Sequence, residues 1–577
     1  MSKEYFNADM ALFLEHRFDW KRHLKLRRGA DAGGEDLETY RTVLVTAAEV
    51  CEDIEAGARD HWDEEVELVD GEVVTPEYIR NGYERMRGAG LVCLTLDAQY
   101  GGYGLPMLVN CYFLEMLSRA DPSLMTIAGL QAGVAYDIQK YGSDELKQRY
   151  LPRFTSGELQ GAMDLTEPQA GSDLGGILTR VTERDGRFYL DGQKIFITNG
   201  GADVHLVLAR DDASFAQSKT TTNGLCLMLC PLVLPDGARN GVRVSRVERK
   251  KGIHGSPTCV VDFDHAEAYL LGERGQGFRA MLDLMNNARL GVAAQAIGIA
   301  EAAFRQARAY ASERVQFGAP ILQQPLVKSM LTTMAINIQT ARALLYRTCS
   351  LIDQTEAVRV YVASESGRAD PARGKLEQEL EHNIQIIRFF TPLCKFYATE
   401  ISVDVTRKGI QLHGGIGYMA ESYAGHFHED AIITTIYEGT SEIQASFALK
   451  EMSKGALMTV LEDARRELDG LDESRKPLVE KICAGIGHIT DGLPALMSDP
   501  QYALLNAKRV CEMVIDVVVS AELLMQASYP DPRFAEEKLG LATTFINRRM
   551  SMVACNAERI ATGDASRIQR YDKILGL

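Results

Sequence analysis

The sequence predicts a mostly helical protein with a small antiparallel β-domain in its middle and an additional helical bundle at its C-terminal end. Three observations carry this prediction. Apolar residues recur every three to four positions before Gly161 and again from Gly277, the spacing of amphipathic helices. Between these regions, six short apolar or alternating runs are separated by Gly, Asp and Asn, as in a small sheet or barrel. Beyond residue 451, four further helical segments follow, enough for a bundle of their own. The expected divisions are a helical domain at 1–160, the β-domain at 161–272, a second helical block at 273–453 and the added helices at 454–577.

In the first block, Leu37–Arg59 reads as an amphipathic helix, and the stretch around Gly71 and Pro76 as a turn or short hairpin. Gly101, Gly102 and Gly104 punctuate the chain before helices at Leu105–Ala120 and Leu130–Tyr141. Ser143 and Glu145 open another helix, which ends near Ser156 and Gly157. The strands expected are Phe188–Leu190, Lys194–Ile197, Val204–Ala209, Leu225–Leu229, Val242–Val247 and Thr258–Phe263. The polar Asp211–Asn223 stretch is expected to be a mobile loop. Phe278–Arg314 reads as one long helix, or as two with a break near Gly291. Pro320 and Pro325 mark a turn, Leu326–Thr355 a second long helix, Ser364–Gly374 a loop, and Leu376–Lys408 a third helix with Pro392 as a candidate kink. The last helices are Leu457–Leu468, Leu478–Leu493, Tyr502–Ser528 and Phe534–Ala561.

Length and charge narrow the function. A chain of 577 residues exceeds one ordinary core. Its 46% apolar and 25% charged content fits a soluble globular protein. A net charge of −16 argues against a generic nucleic-acid binder, which needs a basic face. No apolar run reaches the roughly 18 residues of a membrane span, and no secretory signal is read at the N-terminus. Acidic Asp19 beside Lys21–Arg28 makes a poor organelle-targeting segment. Eleven scattered cysteines without a CxxC pair indicate a reducing compartment, and the expected location is cytoplasmic. Cys226 and Cys230 would share one face of a strand. His426 and His428 beside Glu429 and Asp430 are read as a solvated loop, and no metal is expected.

The most informative stretch is Thr434–Gln444. An apolar run containing Ile436 and Tyr437 ends at Glu438, followed by Gly439, Thr440 and Ser441, and a helical pattern begins at Glu442. A carboxylate in this position can lose solvation, which raises its pKa and suits it to accept a proton from a carbon acid. Gly439 admits close approach of a ligand, and Thr440 or Ser441 can cap the next helix. A helix-capping loop with a solvated Glu fits the same local pattern. Phe196 and Thr198 are two apart and would share one side of a strand, placing an aromatic beside a hydroxyl. Asn286 and Arg289 would share a helix face. Gly414, Gly415 and Gly417 would let backbone approach a phosphate, a weak signal by itself.

TEPQAGSD (Thr166–Asp173), KIFITNGG (Lys194–Gly201), QLHGGIGY (Gln411–Tyr418) and IYEGTSEIQ (Ile436–Gln444) occur in that order and together resemble the acyl-CoA dehydrogenase family. The resemblance covers about Leu91–Lys450. The extra C-terminal helices are similar to those of larger members such as the very-long-chain and 3-methylmercaptopropionyl-CoA enzymes. The resemblance implies FAD as cofactor, with Met163, Leu165 and Thr166 on the pyrimidine side of the flavin. Ser172 would sit near both flavin and acyl-CoA. It further implies Phe196 and Thr198 over the flavin, at a position where Trp is commoner than Phe. Arg314, with Phe317 beside it, would reach the FAD pyrophosphate. Gln411, Gly414 and Gly415 would close on the ADP part of a flavin held by a neighbouring subunit, which requires at least a dimer. Thr440 and Glu442 are assigned to the cofactor, and Asn286, Arg289 and Gly439 to the acyl-CoA. Ala288 stands where some relatives carry their base, leaving Glu438. The implied reaction is α,β-dehydrogenation to a trans-2-enoyl-CoA, with electron-transfer flavoprotein as electron acceptor. An acyl-CoA oxidase and a non-catalytic nucleic-acid-binding relative are the alternatives. Two departures stand out: Gln323-Gln324 is followed by Pro325, and Glu429-Asp430 replaces an Arg-Asp pair.

Overall fold

The computed structural model describes Tyr5–Gly29 and Gly34–Leu577. The chain opens with α1 (Ala8–Leu12), α2 (Trp20–Arg28), α3 (Gly34–Ala58), the hairpin of β1 (Glu67–Val69) and β2 (Glu72–Val74), and α4 (Glu77–Gly88). α5 (Met107–Ala120), α6 (Pro122–Tyr141) and α7 (Asp144–Thr155) follow. Then come β3 (Gly161–Asp164), β4 (Arg180–Arg184), β5 (Arg187–Thr198), β6 (Val204–Asp211), the single-turn α8 (Phe215–Ser218), β7 (Leu225–Pro231), β8 (Val242–Val247) and β9 (Thr258–Leu271). α9 (Gly277–Glu313) leads through a small hairpin, β10 (Val315–Gln316) and β11 (Ala319–Pro320), into α10 (Pro325–Ala363), α11 (Glu365–Ala369) and α12 (Arg373–His413). α13 (Tyr423–Thr434), α14 (Ser441–Met452), α15 (Ala456–Leu468) and α16 (Lys476–Met497) come next. The chain closes with α17 (Pro500–Leu505), α18 (Ala507–Gln526), α19 (Ala535–Ala561), α20 (Ser566–Gln569) and α21 (Tyr571–Leu575). The mostly helical class with a central β-domain is therefore the observed one. Among the described residues, no helix is long and apolar enough to cross a membrane.

Two compact units form. One takes in Tyr40–Ala302 and Gly425–Ile433; the other takes in Phe6–Thr39, Ala303–Ala424 and Thr434–Leu577. In the first, the strands close a ring in the order β6-β4-β5-β9-β7 and back to β6. β3 lies along β6, and β8 along β9. Most pairs are antiparallel, but β3 and β4 run parallel to β6. β6 is buried along its whole length, because both its faces are covered. Val207 and Ala209 join one cluster with Val181, Met228 and Phe263. Leu206 and Leu208 pack in the other with Ile138, Phe154 and Leu284 from α6, α7 and α9.

Several expected elements differ from the observed ones. α6 starts eight residues before Leu130, at an Asp121 cap whose carboxylate accepts from the Leu124 N–H at 2.6 Å, with Pro122 in the first turn. The apolar PSLMTIAGL start is largely buried and shows no polar face, so periodicity was silent there. α9 is continuous through Gly291; a Cβ there would meet Leu114 at only 3.7 Å, ordinary contact. β4 was missed because RVTER buries only Val181, and β3 because it is four residues long. The Asp211–Asn223 loop is tied down. Fully buried Arg210 donates to the carbonyls of Ser218, Thr221 and Asn223, and to those of Gly175 and Ile177. The β1–β2 hairpin turns on Asp70 and Gly71, both at positive φ, the conformation tight hairpins require.

In the second unit α10 packs along α12, and α14 packs against both α12 and α18. α16, α18 and α19 pack on one another, and α18 also rests on α10. The N-terminal segment is pinned into this unit: Arg17 forms two hydrogen bonds, at 2.9 and 2.7 Å, with buried Glu522. Lys538 pairs with Asp9. Part of the expected Ser364–Gly374 loop is helical, with the Ser364 hydroxyl capping α11. The expected Tyr502–Ser528 helix breaks at Asn506. Pro325 opens α10, where a missing N–H costs nothing, and Pro392 lies inside an unbroken α12.

Candidate functional site

The candidate residues divide between the two units. In the barrel unit, Met163 lies on β3, with Leu165 and Thr166 just beyond it. Leu165 is buried, Met163 and Thr166 half-buried, and Ser172 exposed. The Thr166 carbonyl accepts from the Ile195 N–H at 2.9 Å, which brings this segment against KIFIT. A buried ion pair reinforces that junction. Lys194, with no exposed surface, lies 2.8 Å from Glu167 and also donates to the carbonyls of Leu165 (2.9 Å) and Leu208 (2.8 Å). Glu167 also accepts from the N–H groups of Leu178 and Thr179. Burial works to raise the Glu167 carboxyl, but the Lys194 ammonium and these donors outweigh it and hold it below the ordinary range.

Phe196 does not owe its placement to simple strand alternation, as the sequence suggested. A register shift falls between Lys194 and Ile197, and Phe196 sits in it at φ +59°. Its ring is 60% exposed, Ile197 next to it is buried, and Thr198 is half-buried. A bulky side chain at positive φ is an outlier that surrounding structure must hold in place. Asn286 and Arg289 do share a face of α9: Arg289 Nη1 donates to Asn286 Oδ1 at 2.9 Å. Arg289 is buried.

In the second unit, a turn between Thr434 and α14 carries Glu438 at φ +56° and Gly439 at φ +98°. Both are half-buried. The Thr440 hydroxyl accepts from the Ile443 N–H and caps α14, whereas Ser441 donates instead to Glu400. Exposed Glu442 lies 3.2 Å from Lys508; hydrogen bonding, chiefly from its own backbone, and the Lys508 ammonium hold its carboxyl below the ordinary range. Two buried side chains that sequence reasoning missed grip the turn. Lys395 of α12 donates to the Gly439 carbonyl at 2.7 Å, and Gln444 of α14 donates to the Glu438 carbonyl at 2.7 Å. The available signal was a lone charge in an apolar run, TPLCKFYA for Lys395 and QKIFI for Lys194.

Exposed Arg314 precedes the β10–β11 hairpin, whose tip is Phe317 (φ +55°) and Gly318 (φ +77°). The Phe317 ring is 93% exposed. Tyr310 stacks on His413 at 4.4 Å between centroids, joining the end of α9 to the glycine turn. There Gln411, Gly414 and Gly415 are exposed, and a Cβ at Gly414 or Gly415 would meet nothing within 4 Å. Gly417 plays a different part: a Cβ there would lie 2.7 Å from the Ile410 carbonyl, so it serves packing and not ligand approach.

His426, His428, Glu429 and Asp430 lie on α13, not in the solvated loop expected. His426 stacks on Trp62 at 4.8 Å. Buried Asp430 accepts from the Ile253 N–H, an anchoring role different from that of an exposed ion pair. All eleven cysteines are free, and Cys226 and Cys230 are buried on β7.

Three family profiles match: Acyl-CoA dehydrogenase, N-terminal domain, over 45–158; middle domain, over 162–266; and C-terminal domain, over 275–365 and 374–453. The chain is 31% identical to the 3-methylmercaptopropionyl-CoA dehydrogenase of Ruegeria pomeroyi, across 97% of this chain and 92% of that one. Butyryl-CoA dehydrogenase from Megasphaera elsdenii superposes with a TM-score of 0.58 at 28% identity, across 73% of this chain and 98% of that one. An acyl-CoA dehydrogenase from Bacillus anthracis, complexed with FAD, shares the fold with a TM-score of 0.73 at 22% identity, across 92% of this chain and 90% of that one.

Proposed function

The chain belongs to the acyl-CoA dehydrogenase family, and from that premise we propose that it converts an acyl-CoA thioester to its trans-2-enoyl-CoA, with Glu438 as the base. The observation that carries this reading is the turn at Glu438. A non-glycine residue at positive φ costs about 1–3 kcal/mol, and such strain gathers at functional sites. Here it falls on Glu438, the first of the two carboxylates of the IYEGTSEIQ motif; Glu442, the second, lies in the first turn of α14.

The residues fit FAD. The exposed Phe196 ring offers a stacking face, Thr198 a hydroxyl, Arg314 an exposed guanidinium, and Gly414 and Gly415 an open backbone turn suited to a diphosphate. Met163, Leu165, Thr166 and Ser172 would line the ring side. FAD, when bound, supplies the acceptor for the hydrogen that leaves the substrate β-carbon with its electron pair. The chain itself supplies the rest. Arg289, set by Asn286, would hold the CoA moiety. Glu438 takes the α-proton, and its own N–H is the donor this turn offers to charge developing on the thioester oxygen. Gly439 leaves room for the thioester beside it. Thr440 and Glu442 would complete the cofactor contacts. Electron-transfer flavoprotein is the proposed electron acceptor.

A second copy is part of the proposal. Phe317, Leu326 and Tyr418 are 93%, 83% and 84% exposed, and such apolar side chains beside Arg314 and the glycine turn suit an interface at which these residues reach a partner's flavin. The test is Glu438→Gln, assayed anaerobically with a panel of acyl-CoA thioesters. Loss of a general base predicts flavin bleaching slowed by about 10²- to 10⁴-fold with FAD still bound. Unimpaired bleaching refutes the assignment.

A further inference from the structure

We infer that Lys395 and Gln444 are positioning residues for Glu438, holding its turn so that the carboxylate faces the substrate α-carbon. The inference rests on the reading of Glu438 as base. The two donors come from different helices, α12 and α14, and both are buried. Lys395 Nζ lies 2.7 Å from the Gly439 carbonyl; Gln444 Nε2 lies 2.7 Å from the Glu438 carbonyl and 3.4 Å from that of Gly439. They grip two successive residues, Glu438 at φ +56° and Gly439 at φ +98°, the first a left-handed conformation uncommon for a non-glycine residue. A Cβ on Gly439 would come within 2.7 Å of Gln444 Nε2, so the amide is seated against the one residue that leaves space for it. The Thr440 cap fixes the next residue of the turn.

A backbone carbonyl needs only a neutral donor, whereas a buried ammonium carries a large desolvation penalty. A charged hydrogen bond is shorter and stronger than a neutral one, which suits a contact whose task is to resist displacement. Because a misplacement of about 1 Å at a reacting group costs on the order of 100-fold in rate, loosening this grip should act on proton abstraction and not on binding.

The experiment uses the FAD-loaded full chain and its Lys395→Met and Gln444→Met variants. Two rates are read: exchange of the substrate α-proton with deuterated solvent, and anaerobic flavin bleaching. Both should fall at least about tenfold in Lys395→Met, with flavin content unchanged and acyl-CoA affinity within about twofold. Rates within about twofold of the parent overturn the inference, as does a loss wholly explained by lower flavin content or weaker acyl-CoA binding. If Lys395→Met does not fold, Gln444→Met must show the same separation of rate from binding, and unchanged rates there overturn it. Glu438→Gln reports separately: normal bleaching in that variant defeats the base assignment itself, whatever the Lys395 result.

Discussion

Replacing Lys194 with methionine should destabilise the barrel unit by about 3–5 kcal/mol, the usual cost of removing one partner from a buried ion pair. The three acceptors of Lys194 define what is lost: Glu167 at 2.8 Å, the Leu165 carbonyl at 2.9 Å and the Leu208 carbonyl at 2.8 Å. Methionine keeps most of the apolar stem but leaves Glu167 buried without its counter-charge. The donors that remain, the N–H groups of Leu178 and Thr179 and the Gln169 amide, moderate the loss without replacing the ammonium. Urea unfolding followed by Trp62 fluorescence reads this unit, because Trp62 stacks on His426 within it; a Trp20→Phe background removes the only other tryptophan. Adding Glu167→Gln removes the second charge and should recover at least about 1 kcal/mol, since a neutral pair carries no stranded ion. Glu167 has a lowered pKa, so the stability it contributes is present above its ordinary value of 4.5 and is lost as pH falls through the folded value. The gap between parent and Lys194→Met should therefore narrow in acid. A single-variant cost under about 1 kcal/mol, or a double variant no more stable than the single, refutes the reasoning.

Two further changes test the barrel unit. Burial pushes the Asp430 carboxyl from 3.8 up to about 7, so its contribution is complete below pH 3.8 and lost as pH rises through about 7. Asp430→Asn keeps an oxygen for the Ile253 N–H and should gain on the parent by about 1.4 kcal/mol per pH unit between those values, read as unfolding midpoints; a pH-independent difference contradicts this. Arg210→Met should release the Asp211–Asn223 loop. A loss of about 2 kcal/mol in local opening raises tryptic cleavage at Lys219 roughly thirtyfold, and unchanged resistance rules out Arg210 as its tether.

Short-range patterns were readable from consecutive residues alone. Thr440 before a helical run is a cap, Asn286 and Arg289 three apart on a helix meet, and Asp70-Gly71 between short strands turns a hairpin. Each depends on φ, ψ and spacing within a few residues, so local sequence suffices. The four ordered motifs likewise point to the family from the sequence alone. What the sequence did not determine is where isolated polar groups find partners. Lys194 reaches Glu167 across 27 positions and Lys395 reaches Gly439 across 44. No periodicity predicts such pairings. The bulge that turns Phe196 outward depends on the register of β5 against β9, and the buried start of α6 on the layers that cover it. Tertiary structure decided these features, because the low-dielectric interior makes an unmatched charge or amide costly and only the packed chain brings its partner within reach.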